Sequence, residues 1–211
     1  MIDEINLLAT ADYLGVFVFA ISGGLVAIRH NMDLFGILVL SLFPAIGGGT
    51  LRDLLLDVPV FWLTDPWAIC IAVLGGLAAI VYKSWTQIRL LVWVDALGLA
   101  LFAMVGTFKA FSLGHGFVTV VMMGTITATA GGLIRDVVCG GPPLLLKEDI
   151  YATAALFGSS VAYILLLTKL PISMSLALGF LCVFSIRAVA IKFNLSLPTS
   201  EWVRKKLYNK K

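Results

Sequence analysis

Two Arg-Asp pairs, each behind a glycine cluster, are the residues of this chain best suited to chemistry. Residues 47–53 read GGGTLRD and residues 130–136 read AGGLIRD, and each stretch lies within a long apolar segment. One ionised side chain near the centre of a bilayer costs about 2.5–3.5 kcal/mol on insertion scales, so charges there usually have a function. The pattern favours a path or a binding site for a charged solute.

The composition predicts an integral membrane protein. Hydrophobic residues make up 60% of the chain, charged residues 13%, and the mean hydropathy is +1.03. Soluble domains carry about 25% charged residues. The sequence contains no nucleophile-base set, metal-ligand spacing or cofactor loop, so we expect neither an enzyme nor a bound cofactor. Its three cysteines are far apart and show no disulfide pattern.

The apolar residues form seven segments long enough for membrane helices. They do not alternate polar and apolar residues, as the strands of a membrane barrel would. We therefore predict an all-α membrane protein with seven transmembrane helices. The predicted spans are Ile5–Ile28, Asp33–Leu56, Pro66–Tyr82, Leu90–Phe111, Phe117–Cys139, Asp149–Thr168 and Ile172–Phe193.

The distribution of basic residues predicts the orientation. With the N-terminus outside, the inner connections hold Arg29, Lys83, Arg89 and Lys147, and the basic tail 194–211 is cytoplasmic. The outer connections then hold only Lys109 and Lys169. A basic tail can also bind nucleic acid, but nothing else in the chain resembles a soluble basic domain, so we expect no nucleic-acid partner. We predict a multi-pass protein of a bacterial or archaeal plasma (inner) membrane.

The chain repeats itself after 83 positions. The shift superposes Asp12 on Asp95 and Arg52-Asp53 on Arg135-Asp136, and it needs no gap over this stretch. Glycines and prolines coincide as well: Gly15 with Gly98, Gly23 with Gly106, Gly48-Gly49 with Gly131-Gly132, Pro59 with Pro142 and Gly75 with Gly158. Each copy holds three spans, so the second copy enters the membrane from the opposite side. We predict one domain, 1–193, made of inverted repeats at about 5–83 and 88–168 and a seventh helix at about 172–193.

The glycine clusters predict kinks in the second and fifth spans. Gly47, Gly48 and Gly49 follow Pro44 in the second span, and Gly131 and Gly132 lie in the fifth. Either the glycines open a watery cavity or they permit close helix packing, and the charges behind them favour the cavity. By depth along the spans, the two breaks are expected to straddle the bilayer midplane rather than to meet.

Partners for the four charges remain open at this point. Neighbours in a helix point about 100° apart, so Arg52 is poorly placed to bind Asp53. One hypothesis pairs Arg52 with Asp136 and Arg135 with Asp53 across the repeats. The other places one Arg-Asp site toward each mouth of a pore.

Other polar residues each have two possible structural roles. Thr50, Thr125 and Thr129 can line a water path or bond to a carbonyl one turn back. Asp12 and Asp95 are further candidates for the site, but Asp12 is better interpreted as an acid at a helix start. Lys109 is expected to extend toward the outer surface at the end of the fourth span.

The motifs GGGTLRD and AGGLIRDVVCGGPP, in seven spans with inverted repeats, resemble the prokaryotic trimeric intracellular cation channel family, also labelled a bacterial glycine transporter domain family. The resemblance implies a homotrimer with one pore per protomer through the repeat interface, lined by the kinked second and fifth spans and permeable to potassium, or also to sodium. Position 130 is alanine, so the second kink is expected to be milder. The predicted pore and gating residues, including the three threonines, are Gly47, Gly48, Gly49, Thr50, Arg52, Asp53, Thr125, Thr129, Gly131, Gly132, Arg135 and Asp136.

A secondary transporter of a small amino acid such as glycine is the alternative function. Inverted repeats and broken helices occur in such transporters as well as in channels. We expect a cation channel first and a transporter second.

Overall fold

The computed structural model describes residues 2–81, 88–141 and 150–195, and their regular structure is entirely α-helical. The helices are α1 (Ile2–Arg29), α2 (Leu34–Leu55), α3 (Phe61–Thr64), α4 (Trp67–Val81), α5 (Ile88–Ser112), α6 (Phe117–Val138), α7 (Ala152–Leu166) and α8 (Ile172–Phe193). Local signals explain several ends. The Asp33 carboxylate accepts a hydrogen bond from the backbone N–H of Gly36 at 2.8 Å and caps α2. Asn194, in a left-handed conformation, ends α8.

The described helices form a multi-pass membrane protein. Five of them are long and apolar enough to cross a bilayer: α1, α2, α5, α6 and α8. The helices α4 and α7 are apolar but have 15 residues each. That length is about 22 Å, against a hydrocarbon core of about 30 Å. Parts of the predicted third and sixth spans, at 82 and 149, lie outside the described residues, so the count of seven spans stays a prediction.

Reciprocal contacts relate the two repeats. Gly15 leaves room for the ring of Phe102, and Gly98 leaves room for the ring of Phe19. A methyl group on either glycine would lie 3.0 Å or less from that ring. The two rings stack on each other with centroids 5.1 Å apart. The two glycines are 83 positions apart in the sequence, and so are the two phenylalanines. Each repeat therefore presents the same surface to the other, as expected for a pseudo-twofold axis between α1 and α5.

The glycine clusters meet where α2 crosses α6. A methyl group on Gly48 would lie 2.2 Å from the carbonyl oxygen of Thr127, and one on Gly131 would lie 2.4 Å from that of Pro44. Pro44 lies opposite Gly131, and the later residue Gly48 lies opposite the earlier residue Thr127, so the helices are antiparallel. The expectation that the two breaks straddle the midplane without meeting is wrong. Small residues bring the two backbones into contact here.

Both helices remain α-helical through their glycines. The assignment runs without interruption from Leu34 to Leu55 and from Phe117 to Val138, so neither contains an unwound turn. At Gly48 and Gly131, close packing, the less favoured of the two sequence interpretations, accounts for the glycine. The kinks predicted in the second and fifth spans, here α2 and α6, stay predictions.

The last helix, α8, packs outside the repeat relationship. Gly179 faces Met104 of α5 and Ala162 of α7, and Gly158 of α7 faces Val183 of α8. The limits predicted for the repeats stay predictions. Of the predicted tail 194–211, only residues 194 and 195 are described.

Candidate functional site

Arg52 lies at the centre of a buried network, here called the Arg52 cluster: Asp12, Arg52, Asp53, Phe61 and Lys109. Nε of Arg52 donates to Oδ1 of Asp53 at 2.7 Å, and Nη2 donates to Oδ2 at 3.2 Å. Lys109 Nζ donates to the same Oδ1 at 2.8 Å. Asp12 approaches from α1, with Oδ1 3.6 Å from Nη1 of Arg52. Arg52 and Asp53 are fully buried, and the two acids balance the two bases in formal charge.

The segment after α2 covers the Arg52 cluster. The backbone N–H of Phe61 donates to Oδ2 of Asp53 at 2.9 Å, and the Phe61 ring lies 5.7 Å from the guanidinium carbon of Arg52. Gly49 makes room for this ring, because a methyl group there would lie 2.6 Å from it. Trp62 Nε1 donates to the hydroxyl of Thr50 at 2.9 Å. The helix α3 is therefore fastened to the end of α2.

Arg135 of the second repeat lies at the centre of a related network, here called the Arg135 cluster: Ser22, Asp95, Arg135, Asp136 and Tyr151. Nη1 of Arg135 donates to Oδ1 of Asp95 at 2.6 Å and also to the hydroxyl of Ser22. Nε donates to Oδ1 of Asp136 at 2.8 Å. Asp95 and Arg135 are fully buried, whereas the Asp136 side chain is 11% exposed.

Tyr151 completes the Arg135 cluster from the start of α7. A methyl group on Gly132 would lie 2.9 Å from the Tyr151 hydroxyl, 3.6 Å from Oδ1 of Asp95 and 3.7 Å from Nη2 of Arg135. The absence of a side chain at Gly132 thus lets these three groups converge. Within the described residues, Oδ2 of Asp95, Nη2 of Arg135 and the Tyr151 hydroxyl have no hydrogen-bond partner, so polar capacity remains in this buried space.

The structure pairs each arginine with the aspartate next to it. The long Arg side chain turns back over the last turn of its helix and bridges the angular gap to its neighbour. The hypothesis that joins Arg52 to Asp136 and Arg135 to Asp53 is therefore wrong, and so is the expectation that Arg52 is poorly placed to bind Asp53.

The two clusters lie on opposite sides of the α2–α6 crossing. Each arginine follows its crossing glycine, Gly48 or Gly131, by four residues in antiparallel helices. Four residues are about 6 Å of helix. This geometry agrees with the other hypothesis, in which one Arg-Asp site lies toward each mouth.

A cavity of about 240 Å³ opens beside the Arg135 cluster. It lies where α1 and α6 end, and Asp136 is the member of the cluster that borders it. Its described lining residues are Val26, Arg29, His30, Leu91, Asp136, Cys139 and Gly141. Solvent therefore approaches the cluster from this end, while Asp95 and Arg135 remain covered.

The three candidate threonines all bond within their own helices. Thr50 donates to the carbonyl of Ile46, Thr125 to that of Val121 and Thr129 to that of Thr125, at 2.7–2.8 Å. This is the intrahelical alternative. Thr125 and Thr129 are buried. The alternative, that the three hydroxyls line a water path, stays a prediction.

Sequence reasoning missed several members of the clusters. Asp12 lies well inside α1, so its interpretation as an acid at a helix start is wrong. Lys109 was expected only to extend toward the surface, but it binds Asp53. Tyr151 and Phe61 carried no motif. The match of Asp12 with Asp95 in the repeat was the available signal for the acids from the first helix of each repeat.

Comparison with known proteins gives the family. A family model described as "Glycine transporter" matches residues 9–84 and matches again at residues 92–167. The two matches are offset by the same 83 positions as the sequence repeat. This chain belongs to that family. Its relatives include the inner membrane protein YadS of Escherichia coli strain K12, which is 41% identical over 194 residues, covering 89% of this chain and 93% of YadS.

Solved structures similar to this chain are of trimeric intracellular cation (TRIC) channels. The TRIC orthologue from Rhodobacter sphaeroides is 36% identical, covers 90% of this chain and 99% of its own, and has a TM-score of 0.86. A prokaryotic TRIC channel in 0.5 M KCl is 30% identical, covers 92% of this chain and 100% of its own, and has a TM-score of 0.83. A TRIC channel from C. elegans, 14% identical with a TM-score of 0.56, shares the fold.

These comparisons confirm the family recognised from the two motifs and the all-α membrane fold. The relatives of this glycine transporter family member are described as channels and membrane proteins, not as enzymes, in agreement with the prediction that the chain is not an enzyme. The roles assigned to the twelve predicted pore and gating residues stay predictions.

Proposed function

We propose that this protein is a cation channel that conducts monovalent cations, potassium foremost and sodium also, through one pore per protomer between the two repeats. The observation that carries the proposal is the pair of aspartate-rich clusters on either side of the α2–α6 crossing, inside a membrane protein. Buried intramembrane acids usually mark ion paths. The solved structures similar to this chain are of cation channels, which supports the same function.

The chemistry of the clusters suits monovalent cations. Carboxylate oxygens attract a cation, while each arginine balances much of the charge and prevents a very tight site. A conducting site must bind weakly enough for the ion to leave. In the structure described here, Arg52, Asp53, Asp95 and Arg135 are fully buried. We therefore assign this conformation to a closed channel, in which each arginine occupies the place of the ion.

The pore is proposed to follow α2 and α6. The glycines at 47–49 and at 131–132 bring the two helices together, and their charged ends contribute Arg52, Asp53, Arg135 and Asp136. Thr50, Thr125 and Thr129 add hydroxyl groups along the same helices. We expect no cofactor, because passive conduction of an ion through a pore involves no chemical reaction.

The assembly and orientation are also part of the proposal. The similar solved channels are described as trimeric, and the described surface of this chain carries many exposed apolar side chains, which either lipid or a second copy can cover. We propose a homotrimer in a bacterial or archaeal inner membrane. The N-terminus lies outside and the C-terminus in the cytoplasm, because the basic residues then lie inside.

Single-channel recording tests the function. Purified protein in a planar bilayer with a potassium gradient should give discrete currents that reverse near the potassium potential. Asp136→Asn should alter the unitary current, because it removes a charge at the cavity. Asp33→Asn is the matched control, since Asp33 caps α2 and lies outside both clusters. Currents identical in wild type and Asp136→Asn would contradict a pore through the Arg135 cluster.

Transport of glycine is the second candidate, favoured by the description of the matching family model. A carrier would use the same repeat interface but would close alternately on its two sides. Glycine uptake into liposomes from the same preparation, with a silent bilayer, would support the carrier. Unitary currents without glycine uptake would support the channel.

A further inference from the structure

Arg187 is a buried charge that the repeat does not account for. It lies in α8, which belongs to neither repeat, and the residue is 1% exposed. A charged side chain within a membrane helix is costly unless it faces the protein interior and finds partners there.

Two contacts of Arg187 are with the two residues that precede α7. Its Nη1 donates to the carbonyl oxygen of Ile150 at 3.0 Å. Its guanidinium carbon lies 5.0 Å from the centre of the Tyr151 ring. One contact fixes the backbone, and the other fixes the ring above it. Arginine suits this task because its planar group can stack on an aromatic face while its N–H groups bond elsewhere.

Tyr151 extends from this contact into the Arg135 cluster. Its ring is almost fully buried, and its hydroxyl converges with Asp95 and Arg135 over Gly132. A tyrosine has few side-chain torsions, so fixing its backbone and ring also fixes its hydroxyl. The contact between Arg187 and Tyr151 thus links α8 to the space beside the arginine of the second repeat.

We propose that Arg187 is a positioning residue that holds Tyr151 over the Asp95–Arg135 pair and thereby keeps the Arg135 cluster closed. The inference rests on the proposed channel function and adds a regulator to it. When the contacts of Arg187 with Ile150 and Tyr151 break, the Tyr151 side chain can rotate away from Asp95. Water from the cavity beside Asp136 then reaches Asp95. The helix α8 thus acts on a gate that the two repeats build.

Recordings of gating test the proposal. Arg187→Met should raise the open probability about fivefold, the population change that corresponds to one lost cation–π contact, with little change in unitary current. Arg187→Lys keeps a donor for the Ile150 carbonyl but loses the planar stacking, so its effect should be intermediate. Ser175→Ala is the control on α8, because Ser175 is buried and its hydroxyl donates to the Pro171 carbonyl at the start of the same helix. Unchanged open probability in Arg187→Met would overturn the proposal.

A double-mutant cycle separates positioning from a general loss of packing. Tyr151→Phe removes the hydroxyl alone and should raise the open probability by itself. If Arg187 acts through Tyr151, then Arg187→Met should add little to Tyr151→Phe. Fully additive effects would show that Arg187 acts by another route and would overturn the proposal.

Labelling of an introduced cysteine tests the same inference without any transport assay. Ser22→Cys places a thiol beside Arg135, in a chain whose Cys70, Cys139 and Cys182 are replaced by alanine. A water-soluble thiol reagent should label it several-fold faster when Arg187→Met is added, provided that both proteins elute as the same folded species. An equal labelling rate would overturn the proposal. A silent bilayer with faster labelling would instead reject the channel function and leave the positioning role intact.

Discussion

The two clusters share an Arg-Asp plan but differ in how they are covered. The Arg52 cluster receives a second base, Lys109, which binds Asp53 directly at 2.8 Å. The position that matches Lys109 in the other repeat is Val26, which is apolar. The described ion pairs of the Arg135 cluster join two acids to one base, and the proposed action of Arg187 on it runs through the ring of Tyr151. The same scaffold is closed once by a charge and once by an aromatic side chain.

Access from solvent differs in the same way. Asp136 borders the cavity of about 240 Å³, whereas Asp53 is fully buried beneath Phe61 and the end of Lys109. Opening of the two sides should therefore involve different movements. On the Arg52 side, α3 and the lysine must leave. On the Arg135 side, Tyr151 must turn.

The largest expected effect is a difference in stability between two variants, each of which replaces one of the matched aspartates Asp53 and Asp136. Asp53 accepts hydrogen bonds from Arg52, Lys109 and the Phe61 backbone, so Asp53→Asn leaves two buried or half-buried cations poorly paired. Breaking a buried ion pair from one side costs about 3–5 kcal/mol. Asp136→Asn should cost less, because Asp136 borders the cavity and water from there can hydrate the Arg135 guanidinium.

Thermal unfolding of both variants in the same detergent measures this difference. The contrast between the clusters is real only if Asp53→Asn unfolds at a clearly lower temperature than Asp136→Asn. Equal shifts would mean that the two carboxylates carry similar networks, and the distinction drawn above would have to be abandoned.

The next effect tests the symmetric part of the molecule, the crossing between the clusters. Gly48→Ala and Gly131→Ala each place a methyl group against a backbone carbonyl that cannot move aside. Overpacking of this kind costs about 1–3 kcal/mol. Gly47→Ala is the matched control, because its nearest contact is the flexible end of Ile134. Alanine also favours a helix over glycine by about 1 kcal/mol, so the control should be neutral or stabilising.

Denaturation midpoints of the three alanine variants distinguish packing from an open cavity. Equal losses for positions 48 and 131, with none for position 47, would confirm that a pseudo-twofold contact lies between two differently covered clusters. If all three variants were equally stable, the glycines would face open space, as the sequence first suggested.

The sequence predicted the fold class because its signals are global. Long apolar segments require membrane helices, and a constant offset of 83 positions, which the family match repeats, marks the two copies. The Arg-Asp motifs also fall on the two charged clusters of the structure. Their partners were not predictable in the same way. Pairing depends on how far a long arginine side chain bends back, and the angular rule for neighbours in a helix does not contain that length.

Departures from the repeat were the other limit. Tyr151 matches Ala68 under the offset, and Lys109 matches Val26, so comparing the copies points away from both residues. A lysine at the end of a span ordinarily extends to the surface, and only the packing of α5 against α2 places Lys109 beside Asp53. The residues that make the two sides different are those for which the repeat gives no guide.

A smaller effect is expected when Lys109 is replaced by an apolar residue of similar length. Lys109→Met gives the Arg52 cluster the same two acids and one base as the Arg135 cluster. One charge-assisted hydrogen bond contributes about 1.5–3 kcal/mol, and the low end applies because the Lys109 side chain is 23% exposed. At low salt, the loss of this positive charge should also raise the unitary cation current. Lys169→Met is a control, since this exposed lysine belongs to neither cluster. An unchanged current would mean that cations do not pass the Arg52 cluster.

The smallest effect concerns the cover of the Arg52 cluster alone. Trp62→Phe keeps an aromatic ring but removes the N–H that donates to Thr50 at 2.9 Å. A neutral hydrogen bond contributes about 0.5–1.5 kcal/mol, so the overall stability should change little. Because this bond fastens α3 to α2, its loss should instead speed hydrogen exchange of the Phe61 amide, which is held on Asp53, while exchange near Tyr151 stays unchanged. Trp67→Phe is the matched control, since Trp67 is exposed and begins α4 outside the cluster. Faster exchange on both sides of the crossing would show that the two covers move together, and separate gates would then be the wrong description.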